Sequence, residues 1–281
     1  MKVIIFTTCK PFIGDDAWRQ EQAIKSWTLL EGIDKIIIVV GNDKGTKEIC
    51  EKYKLIYEPV VKNLEGIPYL HSMLEIAVNY ADEDDYLLWT NSDMIYHNDI
   101  IKNIIAFEAI KKDKQIKNFV LVGGRFDWHN PQILSDLSKE HFMSNIHITQ
   151  IINNKSITDV CQLDSKKYEC SPHALCGIDY VIHSPTTFIN NIDKNLVIAG
   201  TRHDMILVGT AITNNFYTCN ITNTAFVIHQ NHGYKFGGHA SSLLCQKILI
   251  PNNRQCKGVL KNIYETHHKT MYDNNYQIKF N

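Results

Sequence analysis

The stretch Asp85–Ile95, DYLLWTNSDMI, carries Tyr86, Leu87, Leu88 and Trp89 directly into Asn91, Ser92 and Asp93. A short continuous apolar run bounded by polar turn residues reads as a strand buried on both faces. Such strands belong to parallel sheets covered by helices, so this run predicts an α/β fold with the Asn-Ser-Asp cluster at a strand exit.

The neighbouring segments keep the same rhythm. KVIIFTT is a strand, and DDAWRQEQAIKSWTLLEG is a helix with Trp18, Ala23, Trp27 and Leu30 on its apolar positions, acids at its start and Gly32 at its end. KIIIVVG is a second buried strand, followed by a short helix from Thr46 to Tyr53 and a strand in KLIYEPV. After the turn-rich KNLEGIP come the helix YLHSMLEIAVNYA, the DYLLWT strand, the helix NDIIKNIIAFEAIKK and the strand NFVLVGG. The alternation implies one mostly parallel sheet flanked by helices. From Phe126 the rhythm fades, and residues 127 to 170 are polar with weak periodicity. GIDYVIH, DMILVGTAITN and TAFVIHQ then read as strand, helix and strand. No repeat, low-complexity tract or linker divides the chain, so a single domain over 1–281 is expected, in two halves at 1–125 and 126–281, the second with C-terminal helices.

Charge excludes several classes of partner. The 29 basic and 30 acidic residues nearly cancel without long blocks of one sign, which argues against a nucleic-acid stripe or a polybasic membrane patch. No run approaches the roughly 18 apolar residues of a membrane span, and KVIIF is too short for a signal-peptide core. A cytoplasmic protein is the expectation. Its 8 scattered cysteines then read as reduced thiols. Cys170, His173 and Cys176, with Cys161 upstream, are ligand-type residues at close spacing, but Cys-x2-His-x2-Cys is not a usual zinc pattern, so coincidence is the favoured reading.

In open α/β sheets ligands bind beyond the carboxyl ends of the strands, where Asn91, Ser92 and Asp93 fall. Mg²⁺ or Mn²⁺ takes one or two carboxylates and completes its shell with phosphate and water, so Asp93 is well placed to hold a metal-bound diphosphate. A plain Asx-rich turn is the competing reading. Asn42 and Asp43 after the second strand, and Asn63 and Gly66 before the third helix, are expected near the same edge. His229 and His232, at the exit of a late strand, can complete a metal site begun by Asp93. Arg125 and Arg202 are candidate diphosphate contacts.

In order and spacing the chain resembles the GT-A-fold glycosyltransferases, specifically a family-2-like group with a strand-end NxD motif and a late IHQNHxY motif. The matching segments include FTTCKPF, QEQAIKSW, IIIVVGNDKG, NLEGIPYLHSMLEIA, LLWTNSDMI, FVLVGGRFDW, GIDYVIHSP, GTRHDMILVGTAI and VIHQNHGY. The resemblance implies a GT-A (nucleotide-diphospho-sugar transferase) fold and metal-dependent, inverting transfer of a sugar from a nucleotide-diphosphate donor, UDP-sugar being commonest, to a glycan or other hydroxyl acceptor. It implies Asp93, His229 and His232 as ligands of Mn²⁺ or Mg²⁺, and Asp204 as general base. The donor-binding set it implies is Thr7, Thr8, Asn42, Asp43, Asn63, Gly66, Asn91, Ser92, Arg125 and Asp179. The chain departs from the pattern at His203, where Trp is usual, and at Gly233, where an acid is common. A nucleotidyltransferase is the first alternative, disfavoured because TTCKPFIGDD offers one glycine and two acids after the first strand. A catalytically silent nucleotide-sugar or carbohydrate-binding protein is the second.

Overall fold

Alternating side chains of the first strand face two different sets of helices. The computed structural model describes residues 1–32, 34–144, 170–173, 178–198, 203–222 and 224–232. Within it β1 (Val3–Thr8) points Val3 and Ile5 into one apolar cluster and Ile4 and Phe6 into another, all fully buried. This two-sided burial is why the strand reads as an unbroken apolar run. Each such side chain removed from water contributes about 1.5–3 kcal/mol.

The first half follows the expected order. After β1 come α1 (Gly14–Thr28), β2 (Lys35–Val40), α2 (Thr46–Tyr53) and β3 (Ile56–Glu58). The two-residue strands β4 (Asn63–Leu64) and β5 (Ile67–Pro68) form a small hairpin before α3 (Leu70–Val78). The opening stretch supplies β6 (Tyr86–Thr90), then β7 (Met94–Tyr96), followed by α4 (Asp99–Asp113) and β8 (Phe119–Val122). Trp27 of α1 and Ile100, Ile104 and Phe107 of α4 cover one face of the sheet, while Leu70, Met73 and Leu74 of α3 cover the other.

Beyond β8 lie β9 (Phe126–Trp128), α5 (Lys139–Ser144), β10 (Cys170–Pro172), β11 (Tyr180–His183), α6 (Pro185–Ile189), α7 (His203–Thr213), β12 (Tyr217–Asn220) and β13 (Val227–Gln230). The main sheet has 7 strands in the order β12-β8-β11-β6-β1-β2-β3. All its pairings are parallel except those of β11, which runs antiparallel to both β6 and β8.

Beside it stands a second sheet of 4 strands, β10-β9-β13-β7, which the sequence reading does not contain. Its described members are three or four residues long, too short to show a period, and their partners are distant in the chain. A third apolar cluster, with Ile95, Trp128, Phe142, Phe226 and Ile228, packs against it. The expected helix end also shifts: α1 stops at Thr28, and Leu29 and Leu30 continue as a turn onto Ser26 and Trp27. Arg202, Cys161, Cys176, Gly233 and the expected C-terminal helices lie outside the described residues.

His183 of β11 is fully buried, with its ring against Phe6 and Phe188. Its Nδ1 donates to the Ser184 carbonyl at 2.8 Å, and Nε2 is buried with no partner among the described residues. Burial pushes its pKa down to about 4, although the Ser184 bond opposes this. The unfolded chain binds a proton at about pH 6.5, so between there and pH 4 unfolding takes up a proton. Stability should therefore be full above pH 6.5 and fall by up to about 3 kcal/mol towards pH 4 from this group alone. Urea unfolding of wild type and His183→Phe across that window should show a shallower pH slope in the variant. Identical slopes would remove His183 as a source of the pH dependence.

Candidate functional site

The chain leaves β6 through a turn fastened on both sides. Asn91 donates its backbone N–H to the Asp179 carbonyl at 3.0 Å and its side-chain amide to Asp179 Oδ1 at 2.6 Å. This contact follows from the direction of β11: Tyr180 pairs with Thr90, and the antiparallel run places the preceding residue at the exit of β6. The Arg125 guanidinium forms a buried ion pair with Asp179 and donates through Nε to Asp127 Oδ1 at 3.1 Å. Ser92 donates to Gln20 Oε1 at 2.9 Å, and Gln20 in turn donates to the Lys10 carbonyl at 3.0 Å.

Asp93 is fixed next. Its carbonyl accepts from both the backbone N–H and the side-chain amide of Gln230, each at 3.2 Å. Trp27 Nε1 donates to the carbonyl of the following residue, Met94, at 2.7 Å. The short second sheet then assembles the side chains: β13 pairs antiparallel with β7, setting His229 opposite Met94, and parallel with β9, setting His229 opposite Asp127.

Asp93, His229 and His232 each offer one ligand atom, all within 4.8 Å of one another. Asp93 Oδ2 lies 2.8 Å from His232 Nε2 and 3.6 Å from His229 Nε2. Asp93 Oδ1 is buried and has no hydrogen-bond partner among the described residues. Burial disfavours the Asp93 carboxylate, yet the two imidazoles outweigh it and hold its pKa well below the ordinary value. Burial likewise opposes charge on His229, and Asp93 and Asp127 reverse that, raising its pKa. An ionised carboxylate with an unpartnered oxygen beside two imidazoles fits a divalent cation.

Asn91, Asp93, Arg125, Asp179 and His229 thus fall in one hydrogen-bonded and ion-paired network through Asp127 and Asp93, with His232 on Asp93. Others of the expected residues bond locally. Thr7 is fully buried and its hydroxyl donates to the Thr90 carbonyl at 2.7 Å, while Thr8 is half-buried at the carboxyl end of β1. Asn42 accepts from Tyr57 Oη at 2.8 Å, and the half-buried Asp43 has its pKa raised by burial. Asn63 Oδ1 accepts from Gly66 N–H at 3.0 Å, closing an exposed turn. Asp204 is half-buried in the first turn of α7, next to His203, whose ring meets Trp89 of β6 edge-on at 4.8 Å.

The sequence reading leaves out Asp127. Its carboxylate meets His173 Nδ1 at 2.5 Å and His229 Nδ1 at 3.1 Å as well as Arg125. Burial disfavours its charge, but the two imidazoles and Arg125 hold its pKa far below the ordinary range. The only signal for it was an acid between two aromatics in Phe126-Asp127-Trp128, inside a segment without a period. Gln22 and Gln230, which bond to each other at 2.9 Å behind the site, carried none. A separate cavity of about 290 Å³ lies between the end of α1 and residues 135–138. Its Ser26, His97, Asn98 and Asp136 each have a hydrogen bond to a protein group.

Sheet order and flanking helices are those of the GT-A-type glycosyltransferase fold. Among solved structures, Staphylococcus aureus TarS residues 1–349 in complex with UDP is 16% identical, with a TM-score of 0.50 over 82% of this chain and 61% of that one. Mycobacterium tuberculosis glucosyl-3-phosphoglycerate synthase with Mg²⁺ and UDP is 10% identical, with a TM-score of 0.47 over 91% and 79%, too loose a match to bear on the site. The chain spans 37% to 61% of the length of the S. aureus structures it resembles. No protein-family model matches the sequence, and no curated protein does. Among the described residues no helix is long and apolar enough to cross a membrane.

The Arg125–Asp179 pair yields a stability test. Removing one member of a buried pair strands the other charge, at a cost of about 3–5 kcal/mol. Arg125 keeps Asp127, so Asp179→Ala should lie near the lower end, about 3 kcal/mol by urea unfolding. A loss below about 1 kcal/mol, the range of surface pairs, would mean that the pair does not brace the turn.

Proposed function

We propose that this chain transfers a sugar from a nucleoside-diphosphate donor, a UDP-sugar, to an acceptor hydroxyl, and that Asp93, His229 and His232 hold a divalent cation against the donor diphosphate. The observation that carries this reading is the Asp93–His229–His232 cluster with its unpartnered buried Oδ1, at a strand exit where this kind of sheet binds ligands. Its two imidazoles move the preference from Mg²⁺ towards a transition metal such as Mn²⁺. UDP is the nucleotide bound by the S. aureus TarS fragment that shares the fold. When bound, the cation supplies charge neutralisation for the leaving diphosphate.

The protein's own groups do the rest. Asn91 and Asp179 hold the turn, so Asp93 is set before a ligand arrives and little reorganisation is needed. Asp204 accepts the acceptor's proton. It sits in the first turn of α7, where the helix N-terminus carries partial positive charge. A base working in line opposite the leaving group inverts the anomeric centre. The donor-side set of Thr8, Asn42, Asp43, Asn63 and Gly66 belongs to this same reading, on the carboxyl edge of β1 and β2 and the loop before α3.

A thermal-shift panel of nucleotide sugars with and without Mn²⁺ tests the assignment. A donor at 100 times its Kd adds about 2.7 kcal/mol, a rise of roughly 5 °C for a chain of this size. The rise should need Mn²⁺ and disappear in Asp93→Ala, whose calorimetric affinity for UDP should drop at least about tenfold. UDP affinity unchanged in Asp93→Ala would exclude it from the metal site. Asp204→Asn preserves shape and removes the proton acceptor, so donor affinity should hold while turnover falls on the order of 10² or more. Normal turnover would exclude Asp204 as base, and stoichiometric donor binding without any donor hydrolysis or transfer would favour a binding protein.

A further inference from the structure

We infer that Asp127 is a positioning residue: it fixes the ring of His229 so that Nδ1 carries the proton and Nε2 faces Asp93 and the cation. The inference rests on the metal reading above and deepens it. Asp127 and His229 are direct register partners on β9 and β13, so their side chains rise from the same face of the small sheet. Asp127 Oδ1 lies 3.1 Å from His229 Nδ1, while His229 Nε2 is the nitrogen nearest to Asp93 Oδ2, at 3.6 Å. An imidazole has two nitrogens, and a carboxylate bound to one decides which remains open to a metal.

Asp127 is itself held against rotation. Arg125 Nε donates to Oδ1 at 3.1 Å, and His173 Nδ1 meets Oδ2 at 2.5 Å. The backbone supports the same clamp, with His173 N–H donating to the Arg125 carbonyl at 2.9 Å and β10 pairing antiparallel with β9. A carboxylate engaged on both oxygens offers His229 a single orientation. His173, met in the sequence beside Cys170, therefore acts through Asp127.

The test compares wild type, Asp127→Asn, Asp127→Leu and Asp93→Ala, each stripped of metal, by calorimetric titration with Mn²⁺ alone. Asp127→Leu should bind Mn²⁺ roughly 10–100-fold more weakly than wild type. Asp127→Asn, which keeps an acceptor oxygen, should recover part of that loss. Mn²⁺ affinity equal to wild type in both Asp127 variants, with Asp93→Ala still abolishing binding, overturns the positioning role and leaves the metal site standing. Wild-type affinity in Asp93→Ala overturns both. Should the Asp127 variants fail to fold, imidazole ¹⁵N NMR of the Zn²⁺-loaded wild-type protein decides. A His229 ring with metal on Nε2 and the proton on Nδ1 supports the inference, and metal on Nδ1 or an unligated ring overturns it.

Discussion

A carboxylate taken out of water must be paired, coordinated or protonated, and the arrangement around Asp93 is organised by that constraint. Its charge survives burial because two imidazoles converge on it, and those imidazoles come from the far end of the described chain. The same carboxylate retains one buried oxygen with no protein partner among the described residues. Both facts serve one geometry, in which a positive centre between Asp93, His229 and His232 would meet the Asp93 oxygen that has no partner among the described residues.

Two structural decisions make this geometry available. One is the reversal of β11 within an otherwise parallel sheet, which brings Asp179 to the exit of β6 and lets it grip Asn91. The other is the small sheet. β13 lies between β7 and β9, and its register sets His229 opposite Asp127 while Gln230 bonds back to Asp93. Helix α1 supports the assembly from behind: Ser26 accepts from the Tyr96 N–H at 3.1 Å, Trp27 holds Met94, and Gln22 meets Gln230. Buried polar side chains on an otherwise apolar helix face are thus explained by the strands they hold.

Most of the large sheet was legible in the sequence because its inner strands are apolar on both faces and alternate with helices of clear period, whereas the edge strand β12, Tyr217–Asn220, is mostly half-buried, has no apolar run and was not read. Tyr86 to Trp89 announced β6 this way, and Ile36 to Val40 announced β2. Asp93, His229 and His232 were singled out from strand exits, and the fold brings their ligand-type atoms within 4.8 Å of one another. The small sheet was not legible. Phe126-Asp127-Trp128 and Met94-Ile95-Tyr96 are too short for alternation to be distinguished from chance, and their pairings with β13 join residues more than 100 positions apart. Asp127 was missed for that reason. Its role depends on which strand lies beside it, a property of register that no local pattern encodes.

The account stands on a cation held by one carboxylate and two imidazoles against a nucleoside diphosphate. Electron spin-echo modulation of Mn²⁺ bound with UDP, on protein carrying ¹⁵N-histidine, reads those ligands directly. The account predicts couplings from two directly bound histidine nitrogens together with phosphorus coupling from UDP, and loss of one nitrogen in each of His229→Ala and His232→Ala. Manganese that shows phosphorus coupling but no histidine nitrogen would contradict it, because the Asp93 cluster would then hold itself together without serving the metal.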